Sequence, residues 1–251
     1  MASLVRNHRR LVAVCVIIFL LECISYFIVG TMCGMWWGKE HTTNLIFPPI
    51  DAHIPWITAL YPYYYIWPVA FFVIIPFVVW KAGGRRGITL YVVTSVAMYL
   101  MGGIIYALWP TTYTPADFVN GTWSTLPKSD LFYGIVMMTC NNVANIWGAF
   151  PSYHNFWGAQ LVLIPIIIAY HHSGKSTAWT WISILLGVII SAATLFLHQH
   201  AIADVILTYL MTFAIYWVFS NMRIFDNSWK IMDITYYDKL DRWLFPDPDD
   251  R

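Results

Sequence analysis

Six long apolar runs dominate the sequence and limit what it can fold into. A helix needs about 20 mostly apolar residues to cross the ~30 Å hydrocarbon core of a bilayer, and each of the six runs reaches or approaches that length. The runs cover residues 11–30, 63–80, 88–109, 155–170, 178–197 and 201–220. This pattern predicts an all-α, polytopic membrane protein with six transmembrane helices.

The composition supports the same class and excludes others. Only 11% of the residues are charged and 59% are hydrophobic, whereas a soluble domain carries roughly 25% charged residues. Such a chain has too little charge for the surface of a soluble enzyme and too much apolar content for a disordered protein. Its formal net charge of +1 offers no basic surface to a phosphate backbone, so nucleic acid is excluded as a partner.

The distribution of basic residues predicts how the spans are oriented. With the N-terminus inside and six crossings, Lys39 and Lys128 are the only basic residues of the outside loops, and the other twelve of the 14 lie inside. Cytoplasmic loops carry an excess of Lys and Arg. We therefore expect both termini in the cytoplasm, a membrane domain over residues 1–220 and a charged cytoplasmic tail over residues 221–251.

Two polar clusters lie at the predicted outer ends of the spans. The second cluster, at 194–204, contains His200 and Asp204, which share one helix face because they are four residues apart. A carboxylate in that position can accept the proton of one imidazole nitrogen and leave the other nitrogen free to attack. This pair is therefore a candidate nucleophile with its orienting carboxylate.

The first cluster, at 148–154, ends in Ser152 and His154 immediately before the fourth span. A helix that starts there presents free backbone N–H groups and the positive end of its dipole, which suit a phosphate group. A second imidazole in the same place can protonate a leaving oxygen. Together the two clusters indicate phosphoryl transfer through a phosphohistidine at the extracytoplasmic face.

The same residues allow simpler interpretations. A His followed four residues later by Asp also occurs as a proton relay or a structural pair, and Pro followed by Ser begins many helices. His154, His198 and His200 could instead ligate a metal, but no second carboxylate cluster accompanies them. We therefore predict neither a metal nor a cofactor.

The two clusters also carry a resemblance to a known family. Pro-Ser-Tyr-His at 151–154, followed by a span and then His-x-x-x-Asp at 200–204, resembles the second and third motifs of the type 2 phosphatidic acid phosphatase superfamily. Asp-x-x-Ile-Pro-Trp-Ile at 51–57 is similar to a segment of its inositol phosphorylceramide synthase-like branch. The resemblance covers residues 50–210 and implies a six-helix core with an outward-facing catalytic site.

The resemblance implies a role for each residue of the site. His200 would be the nucleophile, Asp204 would orient it, and His154 would be the general acid for the leaving group. Ser152 and the helix end around it would hold phosphate oxygens. The partners would be membrane lipids, with a phospholipid or lipid phosphate as donor and an alcohol or water as acceptor.

The chain departs from the phosphatase pattern at three cationic positions. Ala107 stands in the place of a lysine, and Thr114 and Thr194 stand in the places of two arginines. A charge-assisted bond to phosphate is about twice as strong as a neutral one, so a singly charged diester fits better than a dianionic monoester. This favours a head-group transferase over a lipid phosphatase, with Thr114, Thr194 and His198 as substrate-binding candidates. The alternative is a catalytically silent lipid-binding or transport protein on the same fold.

Overall fold

The computed structural model describes residues 2–37, 41, 43–65, 73–112, 126–131, 133–134, 149–171, 177–221 and 243–244. Of the interpretable residues, 80% are helical, which confirms the predicted all-α class. The strands are limited to one pair of two-residue segments in the described part of the chain.

The α-helices whose bounds lie in the described part of the chain are numbered in chain order. They are α1 (Ala2–Cys23), α2 (Thr31–Trp37), α3 (Pro48–Asp51), α4 (Tyr61–Tyr65), α5 (Ile75–Leu108), α6 (Tyr153–His171), α7 (Ala178–Phe196) and α8 (Ile202–Asn221). A π-helical segment (Ile24–Gly30) joins α1 to α2, and a 3-10 helix (Thr58–Leu60) precedes α4. The strands β1 (Thr43–Asn44) and β2 (Thr111–Thr112) pair in parallel.

Among the residues that the structure describes, four helical stretches are long and apolar enough to cross a membrane, which supports the assignment to membrane proteins. They are Val12–Trp37, Gly87–Leu108, Ala178–Phe196 and Ile202–Phe219. They coincide with the first, third, fifth and sixth predicted spans. The fourth predicted span forms α6, and the second includes residues 66–72, which lie outside the described part. Six crossings and two cytoplasmic termini therefore remain predictions.

One feature of α5 differs from the expectation. The sequence predicts a break between residues 80 and 88, but the structure has one continuous helix of 34 residues over Ile75–Leu108. No proline falls between 80 and 88, and glycines there weaken a helix by only about 1 kcal/mol each while keeping their N–H donors. At 1.5 Å per residue the helix is ~51 Å long, well beyond the ~30 Å hydrocarbon core.

Helices α1 and α5 run parallel. Near the middle of the first span, Glu22 is hydrogen bonded to Tyr99. Further along both helices, a Cβ added at Gly103 would lie 3.2 Å from Ser25 Oγ. Glu22 is buried between the two helices. The pairing of β1 with β2 then joins the chain beyond α2 to the end of α5.

Helix α6 runs antiparallel to α5. Trp157 Nε1 donates to the Tyr99 hydroxyl over 2.8 Å, and Gln160 Nε2 donates to Ser95 Oγ over 2.7 Å. These groups lie inside a core dominated by large buried side chains. Its fully buried members include Trp157, Tyr91, Tyr99, Tyr106, Tyr216, Phe156 and Met98.

The last two helices complete an alternating bundle. Ser183 Oγ donates to the Leu161 carbonyl over 2.5 Å, which pairs α7 with α6, and Ser191 Oγ lies 2.8 Å from the Tyr209 hydroxyl, which pairs α8 with α7. The first turns of α6 and α8 and the last turn of α7 consequently meet at one end of the bundle. Both polar clusters of the sequence lie at that end.

Candidate functional site

The structure brings the two predicted histidines together. His154 lies in the first turn of α6, and His200 lies in the short turn between α7 and α8. Their ring centroids are 6.4 Å apart, and the ring planes are tilted by 48°. A separation of this size places both imidazoles within reach of one phosphoryl group.

His200 is paired with Asp204 as the sequence predicts. Its Nδ1 lies 3.4 Å from Asp204 Oδ2, a long hydrogen bond. Asp204 is fully buried, and the same Oδ2 accepts the backbone N–H of Ala201 at 3.1 Å. Asp204 Oδ1 has no hydrogen-bond partner in the described part of the chain. Because Nδ1 faces the carboxylate, Nε2 is the ring nitrogen of His200 that points away from Asp204.

His154 is held between aromatic rings. The Tyr64 ring stacks on it at a centroid distance of 4.3 Å and 15°, and the Trp157 ring meets it edge-on at 4.9 Å. Its Nε2 is buried without a hydrogen-bond partner among the described residues. Burial, followed by the nearby charge of His200, lowers the pKa of His154 to about 3. His154, which lies outside the four candidate spans, is therefore a neutral imidazole at neutral pH.

Ser152 is the N-cap of α6. Its Oγ accepts the backbone N–H of Asn155 at 3.2 Å and the side-chain Nδ2 at 2.8 Å, and its own N–H donates to Thr208 Oγ1 at 3.0 Å. Ser152 therefore acts as a helix-capping residue, which is the simpler of the two interpretations of this serine. The N–H groups of Tyr153 and His154 have no acceptor among the described residues. Those two backbone donors are what the helix end can offer to phosphate.

Thr194 is also engaged within the protein. Its side chain is fully buried, and Oγ1 lies 3.1 Å from Asn155 Oδ1 and 2.8 Å from the Ser191 carbonyl. Its carbonyl accepts the backbone N–H groups of Gln199 and His200 at 3.0 and 3.3 Å. Thr194 thus lies beside the site, where its hydroxyl bonds Asn155 and its carbonyl holds the turn that carries His200.

The remaining predicted substrate-binding residues are His198 and Thr114. The sequence predicts a phosphate contact for His198, but its Nε2 donates to the Ile54 carbonyl over 3.0 Å. Its backbone has a φ of 50°, in the left-handed region that a tight turn requires. His198 therefore has a structural partner in the turn. Thr114 lies outside the described residues.

Sequence reasoning missed Asn155 and Tyr64. Asn155 joins the two clusters because it bonds both Ser152 and Thr194. Its spacing of three residues from a helix-capping serine was a usable signal. Tyr64 belongs to a run of tyrosines, and nothing in that run distinguishes the ring that stacks on His154.

No group of three or more His, Cys, Asp or Glu side chains that could hold a metal ion occurs in the part of the chain that the structure describes. His154 and His200 face each other, whereas His198 bonds the Ile54 carbonyl. The three histidines of the metal hypothesis therefore do not converge on one point.

Comparison of this chain with protein-family models, with curated proteins and with solved structures finds no match.

Proposed function

We propose that this protein is an integral-membrane enzyme that transfers a phosphoryl or phospho-head-group between lipids through a phosphohistidine. The observation that carries the proposal is the arrangement of two imidazoles 6.4 Å apart, with a buried carboxylate at Nδ1 of His200. The roles follow the resemblance to the type 2 phosphatidic acid phosphatase superfamily. Sidedness follows the positive-inside count, which puts the site at the extracytoplasmic face.

In the first step His200 Nε2 attacks the phosphorus of a lipid phosphodiester. A P–N bond forms and the P–O bond to the leaving group breaks. The departing oxygen takes a proton from His154. Because the free His154 is neutral, it takes up that proton from water as the substrate binds, and the negative charge of the diester favours its protonated form.

In the second step an alcohol or water attacks the phosphohistidine. His154, now neutral, accepts the proton of the acceptor hydroxyl while the P–N bond breaks and His200 is regenerated. The unprotonated ring, which burial favours in the free protein, is the form of His154 that accepts this proton. Asp204 stabilises the proton on Nδ1 of His200 in both steps.

The charge of the site favours a diester over a monoester. Of the Lys and Arg side chains that the structure describes, Lys81 and Lys128, both are exposed. The donors that the described helix end offers are the neutral N–H groups of Tyr153 and His154. One negative charge on a diester needs less compensation than two on a monoester, so we favour transfer over hydrolysis of lipid monophosphates.

A second candidate function is supported by a specific observation. Ser152, Thr194 and His198, three predicted substrate-binding residues, all have structural partners. A protein that retains the fold but not the phosphate contacts would bind or transport lipid without turning it over.

Turnover of a lipid panel by the purified protein in detergent tests the two candidates. We expect new phospholipid species by mass spectrometry and an acid-labile phosphate on His200 after a brief reaction. His200→Ala should abolish both, and His154→Ala should slow turnover by about 10²–10⁴-fold. His41→Ala, a change at an exposed histidine, is the matched control and should be silent. Folded wild-type protein that converts no lipid would establish the silent alternative.

A further inference from the structure

Asp51 belongs to the 51–57 motif, to which the proposed chemistry assigns no role. Its side chain is 1% exposed. Oδ1 accepts the backbone N–H of Ile202 at 2.9 Å, and Oδ2 accepts the backbone N–H of Phe47 at 2.6 Å. Ile202 is the first residue of α8. A carboxylate from a distant segment therefore satisfies an otherwise free donor of the helix that carries Asp204.

Two more hydrogen bonds join the same segment to the same turn. The N–H of Ile57 donates to the Phe196 carbonyl over 2.8 Å, and His198 Nε2 donates to the Ile54 carbonyl over 3.0 Å. The bonds fall on both sides of His200 along the chain. The 51–57 segment thus fixes the turn from its first residue to its last.

The residue before α8 explains why a side chain from another segment has to cap this helix. Ala201 precedes the helix and has no side-chain acceptor, so it cannot act as an ordinary N-cap. Asp204 reaches back to the N–H of Ala201, as the third helical residue does in a capping box. The same oxygen of Asp204 faces His200.

Loss of Asp51 would leave the N–H of Ile202, which lies in a part-buried site, without its acceptor. An unsatisfied buried donor is costly, and Asp204 is the carboxylate already placed on that helix end. Turning Asp204 toward Ile202 would draw it away from His200, whose bond to it is already long at 3.4 Å. Asp51 therefore keeps Asp204 free to orient the imidazole.

We infer that Asp51 is a positioning residue, which caps α8 in place of Ala201 and thereby fixes the geometry of His200 and Asp204. The inference rests on the proposed function for the meaning of that geometry. It adds a residue that touches neither the phosphorus nor the acceptor.

The test compares Asp51→Ala and Asp51→Asn with Asp130→Asn, a matched change in the 126–131 segment. For folded protein, Asp51→Ala should lower kcat by about 10–100-fold and leave KM within about twofold, because misplacement of a catalytic group affects the reacting geometry. Asp51→Asn keeps one carbonyl oxygen for Ile202 and should recover much of the loss. Asp130→Asn should equal the wild type.

A second readout does not depend on turnover. Diethyl pyrocarbonate modifies accessible histidines, and peptide mass spectrometry reports the modification of His200 relative to the exposed His41. A loosened turn should raise this ratio in Asp51→Ala by about fivefold or more, since local opening exposes buried groups. Asp51→Asn, which retains an acceptor for Ile202, keeps this readout informative should Asp51→Ala fail to fold.

The outcomes separate the two proposals. An unchanged kcat and an unchanged labelling ratio in folded Asp51→Ala would overturn the positioning role, even if less folded protein is recovered. A raised labelling ratio in a protein whose wild type converts no lipid would retain the positioning role and reject the proposed function.

Discussion

Gly187 on α7 and Gly158 on α6 are so close that a Cβ added at Gly187 would overlap the carbonyl oxygen of Gly158 at a very short separation. Real Cβ contacts are not that short, and the opposing atom is backbone. Small residues at such a crossing let two membrane helices approach through their main chains. The α6–α7 contact fixes the two helices that hold His154 and the His200 turn.

Substitution at this crossing should therefore damage the fold. Gly187→Val should force α6 and α7 apart, at a cost of about 1–3 kcal/mol of stability or more. The measurement is thermal unfolding in detergent together with the monodisperse fraction on size exclusion. Gly134→Ala is the control, because no atom lies within 4 Å of a Cβ added there. Equal unfolding temperatures for both variants would contradict this packing.

Asn155 should be indispensable to the link between the two clusters. Its Nδ2 donates to Ser152 and its Oδ1 accepts from Thr194. Asn155→Leu keeps a side chain of similar size but removes the amide that bonds Ser152 and Thr194. Each buried polar group that is left unpaired costs about 1–3 kcal/mol of stability. We expect a lower unfolding temperature and a slower enzyme. Thr194→Ser, which retains the hydroxyl, should stay near wild type in both assays.

Acidification should destabilise the folded protein through His154. Burial and the charge of His200 lower its pKa from 6.5 to about 3. Between those two values the unfolded chain binds a proton that the folded chain excludes, so stability falls as the pH falls through this window. Unfolding temperatures measured from neutral pH to about pH 4 should show the loss, and His154→Gln should reduce it. If the unfolding temperature of His154→Gln falls with pH as much as that of the wild type, groups other than His154 cause the loss of stability.

Arginine should have different effects at residues 114 and 194, the two positions where the phosphatase pattern has arginine. Thr114→Arg should raise hydrolysis of lipid phosphate monoesters at the expense of diester transfer, because a guanidinium binds a dianion through charge-assisted bonds. Thr194 is fully buried and holds Asn155 and the turn, so Thr194→Arg should not fold. The ratio of released phosphate to new phospholipid measures the first effect, and the yield of folded protein measures the second. If Thr114→Arg leaves the ratio of released phosphate to new phospholipid unchanged, residue 114 does not take part in substrate binding.

Local patterns predicted the parts of the site that depend on local spacing. The His200–Asp204 pair follows from four-residue spacing on a helix, and the apolar runs predicted four helices that the structure contains. The cap that Asp51 provides for Ile202 could not be read in this way, since it joins segments distant in the sequence. The sequence did not predict the continuous helix through residues 81–87, because a run of basic residues and glycines between two apolar segments is typical of a loop.

Thr194 and His198 show a different limit. Both lie where substrate-binding groups were predicted, and both side chains are buried. Whether such a group faces a ligand or the protein depends on what packs beside it. For Thr194 that neighbour is Asn155, and for His198 it is the Ile54 carbonyl.

Glu22 makes the stability of α1 in a membrane depend on its contact with α5. It lies within the first candidate span, and a carboxyl group at the centre of an isolated membrane helix costs about 2.5–3.5 kcal/mol on insertion scales. The hydroxyl that it bonds belongs to Tyr99 on α5. The hydrogen bond that forms when α1 packs against α5 offsets part of this cost, so the carboxyl group favours pairing of the two helices within the membrane.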